Sequence, residues 1–255
     1  MDARIRSYTN ITALVVMLIV NFVASNFSIN NLSTEEVSEI YPVLFTPAGY
    51  VFAIWGLIYL LLIGFVIYQA LPEQANNSMI NSIGFLFAVS SLLNVIWIFL
   101  WHYLIIPLSL LVMLLLLATL IVIYFKINDE KLHVSKLDRI LVKLPFNIYL
   151  GWIGVATIAN FNILLNDLGI LGIGTVGSMI WTMLMIAIGA FIALAITQKR
   201  GDYIIALVFA WAFIGIGVRN GSEYILVTIT AWAAAIAIIF FLGWITATGQ
   251  AQKNL

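Results

Sequence analysis

Eight long apolar stretches dominate the chain, at residues 11–29, 47–70, 79–101, 105–126, 143–165, 176–198, 203–218 and 222–246. A helix needs about 20 such residues to cross the roughly 30 Å hydrocarbon core of a bilayer. Lipid offers no partner for backbone N–H and C=O groups, so each crossing segment must satisfy its own as a helix, or pair in a closed barrel. Barrel strands alternate apolar and polar residues over about ten positions, whereas these runs are continuously apolar. The expected fold class is an all-α polytopic membrane protein of eight transmembrane helices. Composition agrees: 64% of the residues are hydrophobic and 9% charged, against about 25% charged in soluble domains. A signal peptide does not fit the start of the chain, because no small-residue cleavage site follows Val23 and Asn21 interrupts the apolar run.

Charge sets the expected orientation. With the first residues inside, Arg4, Arg6, the basic residues of 126–143, Lys199, Arg200 and Lys253 all fall in the cytoplasm, ten of the eleven Lys and Arg. Only Arg219 falls outside, where Glu35, Glu36, Glu39, Asp167 and Glu223 also lie. The positive-inside rule selects this arrangement. Both termini are therefore expected to be cytoplasmic; the expected location is a bacterial cell membrane.

Several chemistries are disfavoured. The chain has no Cys and only two His, His102 and His133, in different loops, so neither a thiolate site nor a histidine cluster is expected. Net charge is zero and no basic run suggests nucleic acid. No metal site, catalytic residue or required cofactor is expected, and an enzyme is the less favoured class.

Polar and aromatic side chains inside the spans carry what remains. In the third span Asn94 is followed by Trp97 and Trp101 on one helical face. In the fifth, Trp152, Ala156 and Asn160 form an i, i+4, i+8 line with Tyr149 a turn earlier. In the second, Phe52, Trp55 and Tyr59 form a third stripe. Stacking faces, a small residue for clearance and a few donors are what a cavity for a flat hydrophobic molecule requires. The alternatives are ordinary ones. Trp and Tyr gather at membrane interfaces, the expected role of Trp101, Tyr103 and Trp244, and a membrane Asn commonly bonds a neighbouring helix.

The stripes resemble a family. FTPAGYVFAIWGLIY, residues 45–59, resembles the PPGWVFGPVWTILY-type signature that opens the second helix of the TspO/MBR family, the tryptophan-rich sensory or translocator proteins. The second Pro of that signature is Ala48 here, and the Trp after it is Tyr50. SLLNVIWIFLWHYLIIPLSLL, residues 91–111, is similar to the family's third helix, and LPFNIYLGWIGVATIANFNI, residues 144–163, to its fifth. The resemblance implies a TspO-like five-helix bundle over residues 1–165, with residues 166–255 adding three transmembrane helices. It implies a membrane-embedded binding or sensory protein for a tetrapyrrole (porphyrin or haem) or another flat hydrophobic ligand. It places the pocket wall on Trp55, Asn94, Trp152 and Ala156, with Trp97 beside it and residues 30–45 as a lid; the helical stripes add Tyr59 and Asn160 to the expected ligand-binding residues. A transporter of small molecules or lipid using all eight helices is the alternative. Expected partners are membrane lipid and the ligand, with a homo-oligomer possible through small residues such as Ala233 and Ala235.

Three other patterns carry little. GIGTVG, residues 172–177, has the spacing of a dinucleotide loop but opens a transmembrane helix, not a βαβ unit. VIYFK, residues 122–126, fits a sterol-contact pattern that a snorkelling Lys126 explains equally well. Arg219, with Glu223 four residues on, reads as a local ion pair or as an anchor for an anionic ligand or lipid.

Overall fold

The computed structural model describes residues 2–27, 29–129, 132, 134–171 and 175–248. His133, Gly172 and Gly174 of the GIGTVG run, and Lys253 lie outside the described residues. The helices in chain order are α1 (Ala3–Asn26), α2 (Thr34–Ile40), α3 (Ile54–Ala70), α4 (Ser78–Ile83), α5 (Leu86–His102), α6 (Ile106–Ile127), α7 (Lys136–Asp138), α8 (Leu144–Asp167), α9 (Val176–Arg200), α10 (Tyr203–Asn220) and α11 (Ile225–Thr248). A 3₁₀ segment (Gly49–Ala53) leads into α3, and a π segment (Arg139–Lys143) leads into α8. Seven of these helical stretches are long and apolar enough to cross a membrane. All eight apolar runs of the sequence are helical, as their composition dictates.

Two spans differ from expectation. The first span begins at Ala3, so Arg6 lies inside α1 rather than ahead of it, with 0% exposure. The third span is not continuous. Asn77 caps α4 by accepting from the Met79 and Ile80 amides, and Gly84 ends it at φ 58° and ψ −126°, a conformation that favours glycine. What remains, α5, has 17 residues, about 25 Å at 1.5 Å per residue. The short seventh span is α10, with 18 residues.

The residues form two compact units. The first comprises Met1–Val37 and Ile54–Ile153. Within it α1 packs on α3 and α5, and α5 on α6. Phe65, Phe87 and Phe146 meet edge-to-face at its core, with centroids 5.0 to 5.9 Å apart. The entry to α8 is fixed by a capping box between Ser135 and Asp138. Asp138 also accepts from Asn77 at 2.8 Å and from the Tyr68 hydroxyl at 3.2 Å, which satisfies a buried carboxylate.

The second unit comprises Ser38–Ala53 and Gly154–Leu255, in which α9, α10 and α11 pack together. Small residues on α10 and its neighbours admit large ones: Phe209 and Phe213 press on Gly189, and the Trp232 indole lies against Gly217. This is how membrane helices gain close contact where lipid is as apolar as the side chains.

The segment 38–53 is fastened to α10. Ala48 N–H donates to the Gly215 carbonyl at 3.1 Å, Asn220 Nδ2 to the Leu44 carbonyl at 2.9 Å, and Trp211 Nε1 to the Val51 carbonyl at 3.3 Å. The Tyr50 ring meets Trp211 edge-on at 5.4 Å. Both departures from the family signature thereby find a reason. A proline at position 48 has no N–H to give, and Tyr50 supplies the ring that Trp211 packs on. Arg219 lies 3.7 Å from Glu39, not from Glu223. Both side chains are substantially exposed, so the pair contributes little.

Candidate functional site

Four helices of the first unit bring a polar relay and an aromatic cluster together. Tyr59 of α3 donates through its hydroxyl to Asn21 Oδ1 of α1 at 2.7 Å. Asn21 Nδ2 donates onward to Asn94 Oδ1 of α5 at 2.8 Å. The Tyr149 hydroxyl of α8 faces the Asn94 amide without closing a bond of good geometry. Asn21 and Asn94 are both buried, at 4% and 0% exposure.

Trp55 is the hub of the aromatic part. Its ring stacks on Tyr59 at 5.5 Å with an interplanar angle of 23°. It meets Tyr149 edge-on at 6.0 Å and Trp152 at 6.3 Å and 85°. Tyr149 and Trp152 are buried, while Trp55 and Tyr59 are half-buried and form the accessible side. The spacing that produces this is helical: Trp55 and Tyr59 are one turn apart on α3, and Tyr149 and Trp152 nearly so on α8.

The expected residues are therefore gathered in part. Trp55, Tyr59 and Trp152 share ring contacts, and Asn94 joins them through Asn21. Trp97 lies one turn beyond Asn94 and stacks on Trp101 at 5.4 Å and 25°. Trp101 is not an interfacial belt residue: it is 4% exposed and its Nε1 donates to the Thr34 carbonyl at 3.1 Å. Tyr103 and Trp244, at 57% and 46% exposure, are on the surface. Ala156 and Asn160 continue along α8 into the second unit, where Ala156 is half-buried and Asn160 buried.

Two members were absent from the expected set. Asn21 was visible as the polar break in the first span, and Tyr149 as the residue a turn before Trp152. What neither periodicity nor composition reveals is that α1 contributes at all.

The lid residues begin as an ordered element. Ser33 and Glu36 form a reciprocal cap at the start of α2, with Ser33 N–H donating to the Glu36 carboxylate at 2.6 Å and Glu36 N–H to Ser33 Oγ at 3.2 Å. Donation from the Ser33 backbone N–H, and next from the Ser33 side chain, holds the Glu36 carboxyl below the usual glutamate range. Asn30 Nδ2 donates to the His102 carbonyl at 3.0 Å. His102 itself is buried, with Nδ1 against the Ile98 carbonyl at 2.7 Å and Nε2 toward the Thr34 hydroxyl at 3.5 Å. It is a structural histidine that ties α5 to the residues before α2. Among the described residues no three His, Asp or Glu side chains stand close enough to hold a metal ion.

The cluster has unmatched hydrogen-bonding capacity. Asn94 Nδ2, Trp97 Nε1 and the Tyr149 hydroxyl are buried without a partner among the described residues. Buried polar groups are nearly always bonded; here the Tyr149 hydroxyl and the Asn94 amide face each other, and Trp97 Nε1 stands one turn further along α5.

A family model described as TSPO-like protein matches residues 7–244. The chain belongs to the TSPO-like family. The match runs through α9, α10 and most of α11, so the last three helices lie within it. No curated protein and no solved structure matches the chain. Family and helix composition together make this TSPO-like protein an integral membrane protein.

Proposed function

We propose that this TSPO-like protein binds a flat, hydrophobic, hydrogen-bond-accepting molecule of the tetrapyrrole class at the Trp55–Asn94–Tyr149 cluster, as a sensory or binding protein rather than an enzyme. The observation that carries the reading is the coincidence of aromatic faces with buried, unmatched donors on Asn94, Trp97 and Tyr149. Porphyrins offer a π-face for stacking and polar edges that accept hydrogen bonds. Buried donors left unbonded by a wrong ligand would be costly, so such a site discriminates as well as binds.

Family membership supports a membrane protein of sensory or binding type. The half-buried Trp55 and Tyr59 would be the first rings that an entering ligand meets.

Tryptophan-fluorescence quenching of the purified protein by protoporphyrin IX tests the reading. Saturable quenching is expected, weakened by Trp55→Phe and by Trp152→Phe with the helical fold intact. Quenching that never saturates, or that is unchanged in both variants, would overturn it and redirect attention to substrate flux assays in proteoliposomes.

A further inference from the structure

We propose a second site, at the N-terminal end of α1, in which Arg6 binds a phosphate-type oxyanion. Arg6 is among the largest fully buried side chains of the protein, at 0% exposure. A buried guanidinium normally has a carboxylate partner, because an unpaired charge out of water is very costly. Among the described residues Arg6 has none within ion-pairing distance.

Its hydrogen bonds are only partly used. Nη1 donates to Oδ1 of Asn81 on α4, while Nε and Nη2 are buried without a partner. Nε and Nη2 share one edge of the guanidinium, and their parallel N–H groups are the fork that grips two oxygens of a carboxylate or phosphate.

The surroundings fit an anion. Gln69 Nε2 is also buried and unmatched, as are Asn10 Oδ1 and the Ser7 hydroxyl, which can donate or accept. Asn10 stands one turn from Arg6 on the same face of α1 and holds Gln69, its Nδ2 donating to Gln69 Oε1 at 2.9 Å and to the Gly84 carbonyl at 3.2 Å. Asn81 is exposed, so the site lies near the surface of the unit.

The location is new relative to the aromatic cluster. Arg6 and Asn21 are fifteen residues apart on α1, about 22 Å along the axis. A surface groove of about 510 Å³ between α1 and α5, which Arg6 does not itself line, runs along the adjoining side of α1 past Tyr8, Thr12, Val16, Ala88, Leu92 and Val95. It has room for an acyl chain, which makes an anionic phospholipid headgroup one source of the oxyanion. Free phosphate is the other.

The test compares melting of the full chain in nanodiscs of phosphatidylcholine alone, of phosphatidylcholine with phosphatidylglycerol, and of phosphatidylcholine with inorganic phosphate added. The wild type should melt higher with one of the two anions. A response to phosphatidylglycerol alone assigns a lipid headgroup, and a response to inorganic phosphate assigns the free ion. Arg6→Lys keeps the charge but loses the fork, and should weaken the apparent affinity roughly tenfold. Asn81→Ala, which frees Nη1 and the orientation of the guanidinium, should weaken it less. Arg4→Gln, at an exposed position two residues away, should respond as the wild type does. Equal melting of the wild type in all three conditions overturns the proposal without recourse to any variant. So does a response that Arg4→Gln reduces as much as Arg6→Lys or Asn81→Ala does, which would mark general surface attraction.

Discussion

Asn21 of α1 donates to Asn94 of α5 across 2.8 Å, and the same Asn21 accepts from Tyr59 of α3 across 2.7 Å. One amide thus sets the spacing of three helices around the ring of Trp55. Interhelical hydrogen bonds in membranes contribute about 0.6 kcal/mol on average and up to about 1.7 kcal/mol. The relay therefore fixes geometry more than it adds stability. Asn94→Ala is expected to lower unfolding free energy by about 1 kcal/mol in a denaturing-detergent titration, while weakening porphyrin binding far more than that loss of stability implies. Equal, small effects on both would show that Asn94 only joins helices.

Ala48→Pro restores the residue of the family signature but removes the N–H that bonds the Gly215 carbonyl. It is expected to destabilise by about 0.5–1.5 kcal/mol, the net contribution of one hydrogen bond, because the Gly215 carbonyl keeps its bond within α10. Differential thermal unfolding of the two proteins in one detergent measures it. An unchanged or higher melting temperature would show that the bond does not hold segment 38–53 to α10.

Two glycines on α10 should differ in tolerance. A methyl at position 215 would overlap Val51 and meet Pro47, which the fastened segment cannot withdraw. A methyl at position 217 would overlap the Trp232 indole, which is 44% exposed and can swing outward. Overpacking costs typically about 1–3 kcal/mol, so Gly215→Ala is expected at the upper end and Gly217→Ala at the lower. Adding Trp232→Ala should relieve Gly217→Ala and leave Gly215→Ala unrelieved. The double-mutant comparison by thermal unfolding decides between this and a general intolerance of α10.

The cap of α2 should respond to acid. The Glu36 carboxyl is held below its ordinary value chiefly by the Ser33 backbone N–H, and also by the Ser33 side chain. A depressed carboxyl stabilises the fold above the unfolded-state value of about 4.3, and that contribution is lost as pH falls through the lower folded value. Protection of the Val37 amide, which bonds the Ser33 carbonyl, should therefore decline on acidification in hydrogen exchange. In Glu36→Gln the protection should be lower at neutral pH and flat through the same range. A pH dependence that survives Glu36→Gln would assign it to another group.

How much was legible follows from what each signal encodes. Hydropathy encodes length, so all eight helices were readable, and the irregular ends were not. Gly84 looked like one more small residue in an apolar run, yet its positive φ splits that span. Arg6 looked like a free charge ahead of the first helix, because an apolar window cannot show that the helix starts upstream and buries it. Helical periodicity put Trp55 beside Tyr59 and Trp152 beside Tyr149, but it relates residues on one helix only. That Asn21 links Tyr59 to Asn94 is a matter of packing between helices. The Trp101 indole could not be separated from a surface belt until its bond to Thr34 was seen. Ala48 and Tyr50, read as departures from a signature, turned out to be the contacts to α10.

The central claim is that donors buried in the aromatic cluster hold the ligand. The most direct measurement is the dissociation constant of protoporphyrin IX for Tyr149→Phe, which keeps the ring against Trp55 and deletes only the unmatched hydroxyl. A loss of about 1.4 kcal/mol, roughly tenfold in affinity, is predicted, with Trp244→Phe on the surface unchanged. Equal affinity in wild type and Tyr149→Phe, with the fold intact, would contradict the account and leave the cluster as packing alone.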